Sequence, residues 1–142
     1  MNYEAYCKAY FANPLPEPRY SFSGTFGVTL YFEDFELAVD FYQKVLGPPA
    51  YVEGEGTRGW QIGKGWLTLL QGKSGSPQNV EITLQVETPA EAEKLQQAFI
   101  AAGGKGSAPS DEYMYVPVRS CPVRDCFGTE ILIISPNSGE TD

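Results

Sequence analysis

The 142-residue sequence predicts an α+β fold built from two tandem βαβββ units. Three observations support it. Hydrophobic residues at the spacing of one buried helical face occur in two segments, a β-like run precedes each segment, and short β-like runs separated by turns follow each. The two segments also align with each other, with Phe32 on Val86, Ala38 on Ala92 and Phe41 on Leu95. We therefore expect a repeated supersecondary unit whose strands form a curved mixed sheet.

The first unit covers residues 25–71. Its opening run, "GVTLYFE", is rich in β-branched and aromatic residues and predicts a strand. Asp34 then stands where its side chain can cap the following helix, and Gly47 followed by Pro48 predicts the end of that helix. Three β-like runs complete the unit, at 50–54, 58–63 and 65–71.

The second unit covers residues 80–135 and repeats this order. Thr88 and Pro89 predict the start of its helix, and Gly103 predicts the end. Its later β-like runs are at 105–108, 112–119 and 129–135. The remaining segments are an arm with a short aromatic helix and a proline-rich stretch (1–24), a flexible linker (72–79) and a polar tail (136–142), so that 25–135 forms one domain.

Composition excludes several classes of partner. The formal net charge is −8 and the ten Lys and Arg residues are scattered, which argues against nucleic acid. No apolar run approaches the roughly 20 residues that cross a bilayer, and the first residues lack the pattern of a secretion signal. The three cysteines do not form an even disulfide framework. We expect a cytoplasmic protein with reduced thiols and no membrane partner.

Two motifs on this tandem repeat resemble a known superfamily. The segments are "FEDFELAVDFYQKVLG" at 32–47 and "DCFGTEILII" at 125–134. They are similar to the two signatures of the vicinal oxygen chelate superfamily, the group of glyoxalases, bleomycin resistance proteins and extradiol dioxygenases. Phe32 stands where the family has Val, and Cys126 where it has Pro. The resemblance implies the glyoxalase/bleomycin resistance fold over about residues 25–135.

The same resemblance implies where a metal would bind in this superfamily. In its metal-dependent members, four positions on the concave sheet face supply His, Glu or Gln. These positions correspond here to Val28, Thr68, Glu81 and Leu132, of which only Glu81 could bind a metal, and the chain has no histidine. A single carboxylate does not make a transition-metal site. We therefore expect no metal and no other cofactor, as in the bleomycin-resistance branch.

Carboxylates on the predicted cleft face are the first candidate site residues. Strand alternation in "VEITLQV" places Glu81 and Thr83 on the face opposite Ile82. Glu130 shares the face of Leu132 in the last strand. These carboxylates either contact a ligand or are solvated charges on an open sheet.

Aromatic side chains are the second set of candidates. Trp60 and Trp66 lie on neighbouring predicted strands and either offer flat surface to a ligand ring or pack within the sheet or a dimer. Trp66 shares the cleft side with Thr68. Tyr113 and Tyr115 have the same two interpretations, and the facing of their strand is unassigned. The predicted ligand-binding residues are thus Trp60, Trp66, Thr68, Glu81, Thr83, Tyr113, Tyr115 and Glu130.

The favoured function is metal-independent binding of a small, partly aromatic molecule in the cleft. Because no Lys or Arg could be placed on the cleft face, we expect the ligand to be neutral or cationic. One alternative is a glyoxalase-like lyase or isomerase, or a dioxygenase-type enzyme, that uses Glu or Tyr side chains or a substrate-borne metal. Another is a regulatory or structural module whose cleft is unused.

The resemblance also implies a homodimer with two composite clefts. The arm carries Tyr3, Tyr6, Tyr10 and Phe11, which would form a costly exposed patch on an isolated chain. We therefore expect these aromatic side chains to be covered by the partner.

Overall fold

The computed structural model describes residues 1–19, 26–73 and 80–137. The predicted linker residues 74–79, parts of the predicted arm and tail (20–24 and 138–142) and residue 25, the first of the predicted domain, lie outside the described residues. The elements in chain order are α1 (Tyr3–Tyr10), β1 (Val28–Phe32), α2 (Phe35–Leu46), β2 (Tyr51–Glu53), β3 (Thr57–Ile62), β4 (Gly65–Gln71), β5 (Glu81–Gln85), α3 (Pro89–Ala101), β6 (Lys105–Gly106), β7 (Ser110–Met114), β8 (Val116–Arg124) and β9 (Glu130–Pro136).

Each unit forms its own mixed sheet, and the predicted α+β class is confirmed. The first sheet has the order β1-β4-β3-β2, with β1 parallel to β4 and the other neighbours antiparallel. The second has the order β5-β9-β8-β6, with β5 parallel to β9, and β7 also pairs with β8. The strands therefore form two sheets where one curved sheet was predicted. In consequence β1 and β5 each end a sheet, and each has a strand partner on only one edge among the described residues.

A hairpin replaces the single strand predicted at 112–119. The chain turns at Tyr115, whose φ is 72°, and β8 then continues to Arg124. A positive φ is uncommon for a residue other than glycine, so β propensity alone did not reveal the turn. The second unit consequently has one strand more than the first.

Local capping explains the ends of the long helices. The Asp34 side chain accepts the N–H of Leu37 at 3.2 Å at the start of α2, and Thr88 accepts the N–H of Glu91 at 3.1 Å at the start of α3. Gly47, with φ 86°, follows the last residue of α2. These caps confirm the predicted starts and stops.

Across the described ranges, no helix has the length and apolar character needed to cross a bilayer.

The two units share one hydrophobic core. Phe41 and Tyr42 of α2 meet Phe99 of α3, with ring centroids 6.1 and 6.3 Å apart. Buried strand residues from both sheets join this cluster: Leu30, Phe32, Leu67, Leu69, Ile82, Leu84, Ile131 and Ile133. Each sheet thus packs one face on the helices. The other face of the first sheet is open, whereas the second sheet buries Val118, Leu132 and Ile134 in a separate small cluster.

A buried hydrogen bond joins the two signature segments. The Tyr42 hydroxyl donates to Oδ2 of Asp125 at 2.7 Å, across 83 positions of sequence. Oδ1 of Asp125 accepts the N–H groups of Phe127 and Thr129, each at 2.8 Å, and thereby closes the β8–β9 turn, in which Gly128 has φ 91°. Burial, and then the charge of Asp125, raises the pKa of Tyr42 well above its usual range.

Candidate functional site

A cavity of about 390 Å³ lies between the first unit and β5 of the second. Its walls are largely apolar and come from the residues before and in β1, from the β3–β4 hairpin and from β5. The apolar wall residues include Phe26, Val28, Ile62, Ile82 and Leu84. The volume falls near the lower end of the roughly 300–1,000 Å³ that is typical of ligand pockets. The cavity therefore suits a small organic molecule.

Three of the predicted site residues line this cavity together. They are Trp66 from β4 and Glu81 and Thr83 from β5. Glu81 and Thr83 are exposed, whereas Ile82 next to them is buried, so the predicted alternation of β5 is confirmed. Trp66 is 38% exposed. Residues from both units thus contribute to one concave site.

Close backbone packing holds Trp66 on the open face of the first sheet. A Cβ added to Gly59 would lie 3.3 Å from Cε3 of the Trp66 indole, so glycine lets the ring approach the strand closely. The Tyr51 ring lies beside it, with centroids 6.4 Å apart. The Tyr51 hydroxyl donates to Glu53 at 2.7 Å, and this hydrogen bond raises the Tyr51 pKa. The indole is therefore oriented before any ligand arrives.

Another glycine fixes the position of the Phe26 backbone at the cavity wall. A Cβ added to Gly65 would lie only 1.7 Å from the carbonyl oxygen of Phe26. Such a contact is sterically impossible, so only glycine allows the residues before β1 to cross the start of β4 here.

Lys64 is a cavity residue that the sequence analysis missed. Ile62 pairs with Gly65 across the β3–β4 hairpin, so Gly63 and Lys64 form a two-residue turn, with φ 56° at Gly63. This turn places Lys64 at the cavity. The expectation that no cationic side chain lines the cleft is wrong. A glycine-containing two-residue turn between paired runs was the signal available in the sequence.

Glu130 lies outside the cavity and has a charged partner. It is the register partner of Glu81, and the two lie on neighbouring strands. Arg124, its partner across the β8–β9 hairpin, forms an ion pair with the Glu130 carboxylate. Arg124 and Glu130 line a separate groove of about 250 Å³ together with Lys105. The negative charge of Glu130 is therefore compensated within the chain.

The remaining predicted residues lie elsewhere. Trp60 is only 3% exposed, and its indole N–H donates to the Gly47 carbonyl at 2.8 Å, so it belongs to the shared core and is not available to a cleft ligand. Thr68 is half-buried on β4, two residues beyond Trp66, and does not line the cavity. Tyr113 and Tyr115 are at the β7–β8 turn, where they contact α1.

The aromatic arm packs against its own chain. The Tyr3 hydroxyl donates to the Tyr115 carbonyl at 2.8 Å, and the Tyr6 ring lies 5.1 Å from that of Tyr113. Tyr3 and Tyr6 are half-buried as a result, whereas Tyr10 is exposed. The arm thus needs no second chain to cover its first two tyrosines.

The donor groups at the positions that the resemblance assigns to a metal do not fit a transition metal. Val28 packs against the shared core, and Leu132 joins a small apolar cluster with Val118 and Ile134. Glu81 is the carboxylate of the cavity, and Lys64 lines the same space. In the part of the chain that the structure describes, no three Cys, Asp or Glu side chains are grouped so that they could hold a metal ion.

Comparison with known proteins identifies the fold. No protein-family model and no curated protein matches the chain. Among solved structures, a glyoxalase/bleomycin resistance protein/dioxygenase family enzyme from Burkholderia phytofirmans PsJN matches with a TM-score of 0.65 and 20% identity, over 78% of this chain and 97% of its own. A fosfomycin resistance protein from Mesorhizobium loti matches with a TM-score of 0.61 and 15% identity, over 83% and 96% respectively.

A lactoylglutathione lyase from Agrobacterium tumefaciens also matches, with a TM-score of 0.59 and 16% identity, over 80% of this chain and 93% of its own. The chain therefore has the glyoxalase/bleomycin resistance fold that its resemblance to the vicinal oxygen chelate superfamily predicted. The names of these three proteins describe different activities, so the fold alone does not select one of them for this chain.

Proposed function

We propose that the chain binds a small, partly aromatic molecule in the cavity between its units, without a metal. The observation that carries this proposal is that Trp66 of the first unit and Glu81 and Thr83 of the second line one cavity with apolar walls. The walls can bury an apolar ring, the indole offers a surface for ring contact, and the carboxylate and hydroxyl groups can orient polar groups of the ligand. Binding of this kind requires no bond-making chemistry.

Replacement of Trp66 by alanine tests the proposal. We expect a panel of planar neutral and cationic ring compounds to include members that quench tryptophan fluorescence saturably. Loss of a well-buried ring contact costs about 1–3 kcal/mol, so Trp66→Ala should weaken their binding roughly ten- to hundredfold. Calorimetric titration of the variant supplies the affinity once this fluorophore is gone.

Trp60 provides a matched control, because it and Trp66 are the two tryptophans of the chain. Trp60→Phe leaves Trp66 as the single tryptophan, and binding and quenching of tryptophan fluorescence should persist. If no compound of the panel binds, or if Trp66→Ala binds those compounds as tightly as the parent protein, the proposed function is wrong.

We also propose that the chain forms a homodimer that covers the open face of the first sheet and the outer edges of β1 and β5. Two features support this assembly. Tyr31, Tyr51 and Trp66 expose more than a third of their surface on the open face of the first sheet. The terminal strands β1 and β5 have no strand partner among the described residues on one edge each, and such edges present unpaired backbone groups. A second copy would cover both features.

Light scattering at micromolar concentration tests the dimer. The expected mass is twice the 15.6 kDa of one chain. Tyr31→Lys should shift the protein toward the monomer, since it places a charge on the face to be covered, whereas Tyr10→Lys on the arm should leave the mass unchanged. A parent protein that has the mass of a single chain would contradict the proposal.

A further inference from the structure

Two opposite charges line the cavity and neither has a partner within the described chain. Lys64 comes from the β3–β4 turn of the first unit, and Glu81 is the first residue of β5 in the second unit. Neither side chain forms an ion pair or a hydrogen bond with another described residue. Their charged atoms are therefore more than 4.0 Å apart, although both residues line one cavity of about 390 Å³.

We infer that the ligand of this cavity is an aromatic zwitterion of amino-acid size, with its carboxylate at Lys64 and its ammonium group at Glu81. This inference rests on the proposed function and specifies the ligand class. A simple cation would be attracted by Glu81 but repelled by Lys64. A simple anion would be attracted by Lys64 but repelled by Glu81. A zwitterion pairs both charges and is neutral in sum, so it avoids both repulsions.

The apolar lining of the cavity indicates the chemistry of the uncharged part of the ligand. Phe26, Val28 and Ile62 add apolar wall to the same cavity, and Trp66 adds aromatic surface. Apolar wall favours a hydrocarbon or ring between the charged ends, because its burial removes apolar surface from water. The small volume favours a molecule with a single ring and two charged groups.

The three matched probes for this inference are L-phenylalanine, phenethylamine and 3-phenylpropanoate. They share one ring and differ in whether they carry both charges, only the ammonium or only the carboxylate. In calorimetric titration at pH 7, we expect L-phenylalanine to bind about tenfold more tightly than either singly charged probe. High salt should reduce that preference, because the cavity is open to solvent.

Single-residue variants assign each charge. Lys64→Gln should lower the affinity for L-phenylalanine to that for phenethylamine and should not weaken phenethylamine itself. Glu81→Gln should lower the affinity for L-phenylalanine to that for 3-phenylpropanoate and should not weaken the binding of 3-phenylpropanoate itself. Both side chains are exposed, so folding should be unaffected. Lys44→Gln and Glu87→Gln, which change exposed charges outside the cavity, should leave all three affinities unchanged.

The inference is overturned if phenethylamine binds the parent protein as tightly as L-phenylalanine does, if neither cavity variant changes the preference, or if none of the three probes binds. Should planar neutral or cationic compounds still bind with dependence on Trp66 in any of these cases, the proposed function stands and only the zwitterion assignment fails. If Trp66→Ala also leaves the binding of those compounds unchanged, both the proposed function and the zwitterion assignment are wrong.

Discussion

Replacing Asp125 by alanine is expected to lower the free energy of unfolding by about 3–5 kcal/mol. The Asp125 carboxylate is buried and accepts three hydrogen bonds, from the Tyr42 hydroxyl and from the N–H groups of Phe127 and Thr129. Alanine removes the acceptor and leaves three buried or half-buried donors without their partner. Urea denaturation at one fixed protein concentration measures the loss.

Three further variants apportion this effect. Asp125→Asn keeps the shape and one carbonyl oxygen, and should cost about 1–2 kcal/mol. Tyr42→Phe should cost about 1–3 kcal/mol, since it removes one donor from a buried carboxylate. Asp40→Ala, which breaks only the exposed ion pair with Lys44, should cost less than about 1 kcal/mol. An Asp125→Ala protein as stable as Asp40→Ala would show that the turn does not depend on this carboxylate.

The pH dependence of stability supplies an independent readout of the same bond. The pKa of Tyr42 in the folded chain is raised above its ordinary value of 10.0, so the native state holds this proton where the unfolded chain has lost it. The resulting stability is fully present below pH 10 and is lost as the pH rises toward the folded pKa. The parent protein should therefore lose stability more steeply above pH 10 than Tyr42→Phe does.

Local chemistry explains which parts of the fold could be predicted from the sequence. The caps at Asp34 and Thr88 depend on residues three positions apart. The facing of Glu81 and Thr83 follows from strand alternation alone. Such features need no information about distant segments, which is why the elements of both units were recognisable.

Strand register explains why Trp60 was misplaced. Trp60 pairs with Leu67, and Trp66 pairs with Gln61, so the two tryptophans point to opposite faces of one hairpin. A shift of one residue in register would exchange the two faces. The two-residue turn at Gly63 and Lys64 fixes this register. The β-like runs at 58–63 and 65–71 indicate a short turn between them, but they determine neither the pairing of the strands nor the position of Lys64.

Long-range partners explain the remaining differences. Arg124 neutralises Glu130 across a hairpin whose loop is set by Asp125 and Gly128. The contact of α1 with the β7–β8 turn joins residues more than 100 positions apart. Neither partner follows from periodicity, because each depends on how finished elements pack. Both differences concern charge or exposure at the predicted site and not the identity of the fold.

Replacing Phe99 by alanine is expected to lower the free energy of unfolding by about 3–5 kcal/mol, the range measured for large-to-small changes in cores. Phe99 is fully buried on α3, and its ring meets Phe41 and Tyr42 of α2. The variant should leave a cavity between the helices of the two units. Denaturant unfolding, followed by fluorescence and by circular dichroism, measures both the loss and its cooperativity.

The number of unfolding transitions in Phe99→Ala shows whether the two units unfold together. Because most buried hydrophobic residues of both units form one cluster, destabilisation at Phe99 should shift a single transition seen by both probes. Ile100→Ala, next to it on the exposed side of α3, should cost less than about 1 kcal/mol and serves as the control. Two separated transitions in Phe99→Ala, with only one of them shifted, would instead mean that each unit is stabilised mainly by its own helix and sheet. In that case the packing between the units would be weak, and the cavity between them would depend on that packing. Phe99→Ala should then lower the ligand affinity as strongly as Trp66→Ala does.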